Sequence, residues 1–300
     1  VSSVLVSRFD PEVSCEIQRL AVRGWPAEEL EEVEGWLLRR TVGVDRRRSN
    51  SLLPPSDAGH AARSVELALA TAEELGFDPV VQVAPAEVHR RLDADLEARS
   101  FRLSGSTLVL AGPLSPASSG GDGRMPPGSP DGAGRMPPPS GDRDAGGRLG
   151  RPAAMHGGGS SRSAAGARGV RLGPLTAEWL DAWAVISGIE GTVETGERVL
   201  GQLGDRACFA TVVDPVSGDC AGTGIGVAED GWLGLFSLAV APSWRRRGVG
   251  SGIVDALSAW AGTRGARSVY LQVEADNAAA LGIYARRGCF IAHSYHYRSA

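Results

Sequence analysis

Lysine is absent from this 300-residue chain; all 31 basic side chains are arginine. Modification of a lysine within the chain is thereby excluded, and beside abundant alanine and glycine the usage points to GC-rich coding rather than to a mechanism. Cysteine is scarce. Cys15, Cys208, Cys220 and Cys289 form no close pair and no ligand spacing, so neither a metal site nor a disulfide framework is expected, and buried free thiols are. Long apolar runs are missing too: the first cluster, Val4 to Val6, is far too short for a membrane span or a secretory leader, which makes cytoplasmic residence without a membrane partner the expectation. The formal net charge is only −4, and no part predicted to fold is basic enough to argue for a nucleic-acid partner. What is present, 42% hydrophobic and 22% charged residues, describes a soluble globular chain long enough for two domains.

The chain divides into two such parts and a tether. Residues 112–169 consist mostly of Gly, Pro, Ser, Ala and Arg and repeat GRMPP at Gly123 to Pro127 and at Gly134 to Pro138, which predicts a disordered linker with a random-coil span of about 40 Å. Within the first part, 1–111, a helix is expected from Ala61 to Leu75, a strand from Val80 to Val83, a helix from Ala86 to Arg99 and a strand from Thr107 to Leu110. The second part, 170–300, offers the same order: a helix ending at Gly265, a strand from Ser268, a helix ending at Arg287 and a strand around His293 to Tyr297. Gln82-Val83 and Gln272-Val273 occupy corresponding positions, so the pattern is that of an internal duplication. Upstream, Gly35 to Arg39 and Ser49 to Leu53 read as strands flanking Arg46, Arg47 and Arg48 in or near a turn.

The densest signal is Ala241 to Gly252, APSWRRRGVGSG, set between the apolar strand Leu233 to Val240 and a helix carrying Ile253, Leu257 and Trp260. Free N–H groups at such a helix start converge on an anion, and glycines let a ligand approach the main chain. Gly-rich turns of this kind also serve packing alone. In the first part the corresponding stretch, Pro54 to His60, has an aspartate in place of the arginines and a single glycine, which argues against an anion site there.

Arg245, Gly248 and Gly250, followed by Asn277, Tyr284, Gly288 and Phe290 with Cys289 inserted before the Phe, together resemble the signature of the GNAT superfamily of acyl-CoA N-acyltransferases. The resemblance covers about the last 130 residues. Segments GWLLR, Arg48 to Ser51, Leu271 to Glu274 and the terminal Tyr295 to Arg298 resemble those of bacterial members, and the first part resembles a degenerate copy of the same domain. The implied fold class is α/β (α+β): a mixed, mostly antiparallel sheet flanked by helices, in two tandem copies of which the C-terminal one is active.

The function implied is transfer of an acetyl group from acetyl-CoA, as acyl donor, to a primary amine of a small molecule or peptide, without a metal. The alternative from another class is a catalytically idle acyl-CoA sensor or scaffold. By the resemblance, backbone groups of Leu238, Ala239 and Val240 meet the pantetheine arm, and Arg245, Arg246, Arg247, Gly248, Val249, Gly250 and Ser251 take the pyrophosphate. Asn277 is a further cofactor contact or a plain helix cap, and the two are compatible. Tyr284 is the general acid for the departing thiolate, because a phenol stays protonated at neutral pH; its bland alternative is core packing. For the base, Glu274 stands beside a water relay, with Glu190 in the loop between the first two helices of the second part also in reach. His293 and His296 are expected to be structural, while Trp179, Trp183 and Trp232 either pack the core or line the acceptor pocket.

Overall fold

The computed structural model describes residues 5–43, 47–114, 169–187 and 193–300. The predicted linker falls almost wholly outside the described residues, as do Arg46 and Glu190. Among the described residues no helix is long and apolar enough to cross a membrane.

The first copy opens with helix α1 (Pro11–Gly24), which the sequence announces through Asp10-Pro11: the aspartate accepts a hydrogen bond from Val13 N at 3.0 Å, and proline suits the first helical position. Strands β1 (Glu29–Val33) and β2 (Trp36–Arg40) form a hairpin around Glu34 and Gly35, both at positive φ, the two-residue turn that matches strand twist. There follow β3 (Ser51–Leu53), α2 (Ala58–Glu74), β4 (Val80–Val83), α3 (Arg90–Ala98) and β5 (Arg102–Pro113). The second copy contains β6 (Val170–Gly173), α4 (Ala177–Ser187), α5 (Val193–Gly201), β7 (Ala207–Val213), β8 (Cys220–Glu229), β9 (Trp232–Val240), α6 (Val249–Thr263), β10 (Ser268–Glu274), α7 (Ala278–Arg286) and β11 (Phe290–Ser299).

All eleven strands join one sheet in the order β1-β2-β3-β4-β11-β5-β10-β9-β8-β7-β6. Only β3–β4 and β9–β10 are parallel; the other neighbours are antiparallel. Apart from β6, which has no counterpart, the order is symmetric about the β11–β5 pair, and each copy's last strand lies beside the parallel pair of the other. β5 pairs with β10 from Ser268↔Pro113 to Glu274↔Thr107, while β11 pairs with β4 from His296↔Val83 to Ser299↔Val80. The described residues within 1–117 and 165–300 accordingly form a single compact unit. Composition shows that each part is long enough to bury a core; it carries no signal for where a final strand will pair.

Three apolar clusters hold the sheet. Ile17, Leu20 and Trp25 of the first copy pack with Trp179, Trp183, Phe209, Phe236 and Tyr270 of the second, so one core spans both copies. The α2 and α3 helices cover a cluster containing Trp36, Leu52, Val65 and Leu92, and α6 covers one containing Leu233, Ile253, Leu257 and Tyr284. Two expectations need correction. The α3 helix begins at Arg90 rather than Ala86, because Ala86 N donates to Ser294 O and the Glu87 carboxylate accepts from Ser294 N and Oγ, which ties this segment to β11 instead. The β5 strand runs well beyond Thr107 to Leu110, as its partners on both sides, β10 and β11, are themselves long. All four cysteines are free thiols, but only Cys208 and Cys289 are buried; Cys15 and Cys220 are half-buried, against expectation.

Candidate active site

The parallel strands β9 and β10 stay paired only from Trp232↔Ser268 to Leu235↔Leu271. Beyond that point they part, and the edge of β9 facing β10 loses its strand partner. A β-bulge sharpens the separation: Thr223 to Ile225 on β8 opposes Ala239 back to Phe236 on β9, and the extra residue lies at Ser237, whose φ is +47°. Leu238, Ala239 and Val240 continue past the bulge, half-buried, along this open edge.

The chain then turns into α6. Arg246 and Gly248 both adopt positive φ, +64° and +84°, and Gly248 is the N-cap of α6 with no side-chain cap. The first N–H groups of the helix are therefore left for another acceptor. A β-carbon at Gly248 would meet nothing within 4 Å, and one at Gly250 would meet only Val240 Cγ2 at 3.5 Å, an ordinary contact. By contrast, β-carbons at Gly222, Gly224 and Gly234 would approach neighbours at 2.8, 2.7 and 2.5 Å. Packing demands those three glycines; it does not demand Gly250. Arg245, Arg246 and Arg247 are exposed, and none is ion-paired among the described residues; the Arg247 guanidinium lies 5.2 Å from the Trp244 ring.

On the far side of the split, Asn277 Oδ1 caps α7 by accepting from Ala280 N at 3.1 Å. The helix is fixed to α6 by Arg287, which bonds Asp255 Oδ1 at 3.0 Å and Ser251 O at 3.3 Å. This anchoring positions Tyr284, a buried side chain whose phenol makes no hydrogen bond with a described residue. Burial pushes its pKa upward, with Arg287 opposing the shift, so the group remains protonated across the working range of a protein.

A cavity of about 510 Å³ opens at the split. Its walls bring together Leu238, Glu274, Asn277 and Tyr284 from the expected set, and Ser237 and Gln272 beside them. The residues from Arg245 to Ser251 and the pair Ala239 and Val240 lie outside this wall. Glu274 is exposed at the end of β10, directly opposite Thr107 of β5. Of the tryptophans, Trp179 and Trp183 are core residues: they stack at 5.8 Å, Trp179 stands edge-on to Phe209 at 4.9 Å, and its Nε1 donates to Ala210 O. Trp232 packs on Tyr270 at 6.3 Å. His296 shares Asp93 with Arg298, each at 2.7 Å, whereas His293 is fully buried with Nε2 3.5 Å from Gln18 Oε1.

Several wall residues escaped the sequence reading. Trp25, Gly105 and Thr107 come from the first copy, as do Arg47 and Arg48, and Tyr295 and Tyr297 come from β11. The arginine triplet and the terminal Tyr-His-Tyr-Arg were visible as segments. Only the exchange of β5 and β11 explains why they meet at the second copy's cavity.

Two parallel strands thus diverge at a bulge, with a glycine turn and an uncapped helix at the end of one and a buried tyrosine across the gap. Residues 176–289 match the model of the Acetyltransferase (GNAT) family. An uncharacterized N-acetyltransferase of Bacillus subtilis (strain 168), YobR, is 29% identical over 121 residues, which cover 40% of this chain and 48% of the relative. The matched stretch thus spans about half of that protein's length. A GCN5-related N-acetyltransferase from Kribbella flavida superposes with a TM-score of 0.54 at 14% identity, covering 96% of this chain and 94% of its own. A tandem GNAT protein from the clavulanic acid biosynthesis pathway superposes with a TM-score of 0.50 at 13% identity, covering 88% and 73%. At these identities the likeness is one of fold, and it extends over both copies.

Proposed function

We propose that the chain transfers an acetyl group from acetyl-CoA to a primary amine, of a small molecule or peptide, at the split of β9 and β10. The observation that carries this reading is the uncapped start of α6: N–H groups left for another acceptor, open space beside Gly248, and three arginines with no ion-pair partner among the described residues, next to the gap in the sheet. A pyrophosphate there would accept from the main chain and from the guanidinium groups, and the helix dipole would favour its charge. The pantetheine arm would then run along the open edge from Val240 to Leu238 and deliver the thioester to the cavity.

There the amine nitrogen attacks the thioester carbonyl carbon, and main-chain N–H groups at the Ser237 bulge receive the charge that develops on oxygen. Collapse of the adduct breaks the carbon–sulfur bond. Tyr284 gives its proton to the thiolate and recovers one from solvent, while the amine loses a proton to Glu274 or to water at the exposed end of β10. Asn277 would hold the start of α7, and with it Tyr284, in place beside the cofactor.

Calorimetric titration with acetyl-CoA, followed by an amine panel read out through thiol release, tests the reading. Binding at one site per chain with turnover of at least one amine is expected. Binding without turnover across the panel would select the sensor or scaffold alternative, and no binding would remove both.

A further inference from the structure

The cavity is a joint product of the two copies, and the part supplied by the first copy is positively charged. Arg47 and Arg48 both line it. Neither has a carboxylate partner among the described residues, whereas Arg23, Arg40 and Arg99 of the first copy are each ion-paired. Arg48 is half-buried, 5.9 Å from the Trp25 ring, and hydrogen-bonds to Tyr295, which in turn donates to Gln272 Oε1 at 3.0 Å. Arg47 lies 5.8 Å from the Tyr297 ring. Behind them Arg39 is almost fully buried and satisfied only by neutral groups, Ser51 Oγ at 2.7 Å and Gln82 Oε1 at 2.5 Å. Burial, with the charge of Arg48 adding to it, lowers the pKa of Arg39 to about 10.

Uncompensated guanidinium charge in a half-buried wall is costly unless something neutralises it. Each guanidinium offers five donors in a planar fork suited to a carboxylate or phosphate, and among the described residues Arg48 donates only to Tyr295. The acidic member of the wall, Glu274, lies across β5 from Tyr295: Glu274 opposes Thr107, and Thr107 opposes Tyr295, which puts the two main chains two strand spacings, about 10 Å, apart. The wall therefore presents a negative group on one side and a cationic pair on the other.

Resting on the acetyltransferase reading, we propose that the acceptor is an amine that also bears an anionic group, a carboxylate or phosphate ester, seated on Arg48 and Arg47 while its amine faces Glu274 and the split. The first copy, whose own anion turn is altered, then acts as the acceptor-recognition half of the enzyme.

The test compares matched acceptors in the full chain: α- and ω-amino acids against their carboxamides, and phosphoethanolamine against ethanolamine. The anionic member of at least one pair is expected to be favoured by 10-fold or more in kcat/KM, mostly through KM; the two pairs distinguish carboxylate from phosphate. Arg48→Gln should collapse that ratio towards one, Arg48→Lys should restore part of it, and Arg47→Gln, at an exposed position, should reduce it by a smaller factor. Acetyl-CoA affinity serves as the control for folding. Equal turnover of charged and neutral members, or a ratio unmoved in both Arg48→Gln and Arg47→Gln, would overturn the proposal. If no amine turns over, the catalytic reading fails by itself. The seat is then judged by calorimetric titration of the same carboxylates and phosphoethanolamine: binding weakened at least 10-fold in Arg48→Gln upholds it, and no binding or no difference overturns it.

Discussion

From β1 and β7 onward the two copies share one topology, and they differ where an acyl-CoA would sit. In the second copy α6 begins at Gly248 with no side-chain cap, whereas in the first α2 begins with Asp57, whose carboxylate accepts from His60 N at 2.8 Å. The first copy has put its own anion where the second leaves room for one. A β-carbon on Gly59 would crowd Arg63 at 3.1 Å and Asp57 at 3.3 Å, while one on Gly248 would meet nothing. The strands repeat the contrast. Two and three residues beyond the last paired position, the second copy has Ser237 and Leu238, which carry main-chain N–H groups; the first has Pro54 and Pro55, which possess none. The fold is thus kept while the first copy's helix start is capped and the end of its strand lacks N–H groups.

The contrast breaks most completely at Gly250. Gly250→Val places branched carbons over the turn at little packing cost, since the site's nearest neighbour is Val240 at 3.5 Å. Calorimetry should show acetyl-CoA binding weakened at least 100-fold with the melting temperature nearly kept; normal binding would reduce the turn to a packing device. Next is Tyr284→Phe, for which kcat should fall roughly 10²–10⁴-fold, the usual worth of a placed general acid, while acetyl-CoA affinity shifts little because the ring still fills its site. An unchanged kcat, with chemistry shown to limit the rate, would leave Tyr284 as core packing alone.

How far the sequence discloses this arrangement depends on the range of each signal. The glycine turn, the Asn277 cap, β4 and the parallel strand ahead of α7 are local features, and Asp57 in place of arginine already marked the first copy as altered. The start of α3 is not a local feature, because Ala86 and Glu87 answer to Ser294, over 200 residues away. The acceptor wall was hidden for the same reason: Arg47, Arg48 and Thr107 reach the second copy's cavity only because β5 and β11 are exchanged, and strand exchange leaves no trace in periodicity.

A third difference separates the helices that follow the splayed strands. Asn277 caps α7 from the surface, but the N-cap residue of α3 is His89, fully buried with both ring nitrogens unpartnered among the described residues. His293, on the strand the second copy contributes, is buried likewise. Burial lowers both imidazoles from 6.5 to about 4. A histidine held neutral in the fold gives stability that is present above pH 6.5, where the unfolded chain is neutral too, and that is lost as pH falls towards 4, because the unfolded chain takes up the proton first. The loss is at most about 3 kcal/mol for each. Melting temperature should fall between pH 6.5 and 4, and His89→Leu should flatten that slope. A slope unchanged in both His89→Leu and His293→Leu would assign the acid sensitivity to other groups.

The smallest expected effect sharpens the comparison most. Asp57→Ala removes the carboxylate that satisfies the start of α2, and on that ground alone it would open the first copy to a second acetyl-CoA. The prolines at 54 and 55 argue otherwise: they leave the strand without donors for a pantetheine arm, and α3 carries Leu92 and Leu96 on its buried face where α7 has Tyr284. The expected result is a slight fall in melting temperature from the lost cap, with acetyl-CoA still binding at one site per chain. Two sites in Asp57→Ala would mean that a single carboxylate had closed the first copy, and the prolines would then be incidental to its loss of function.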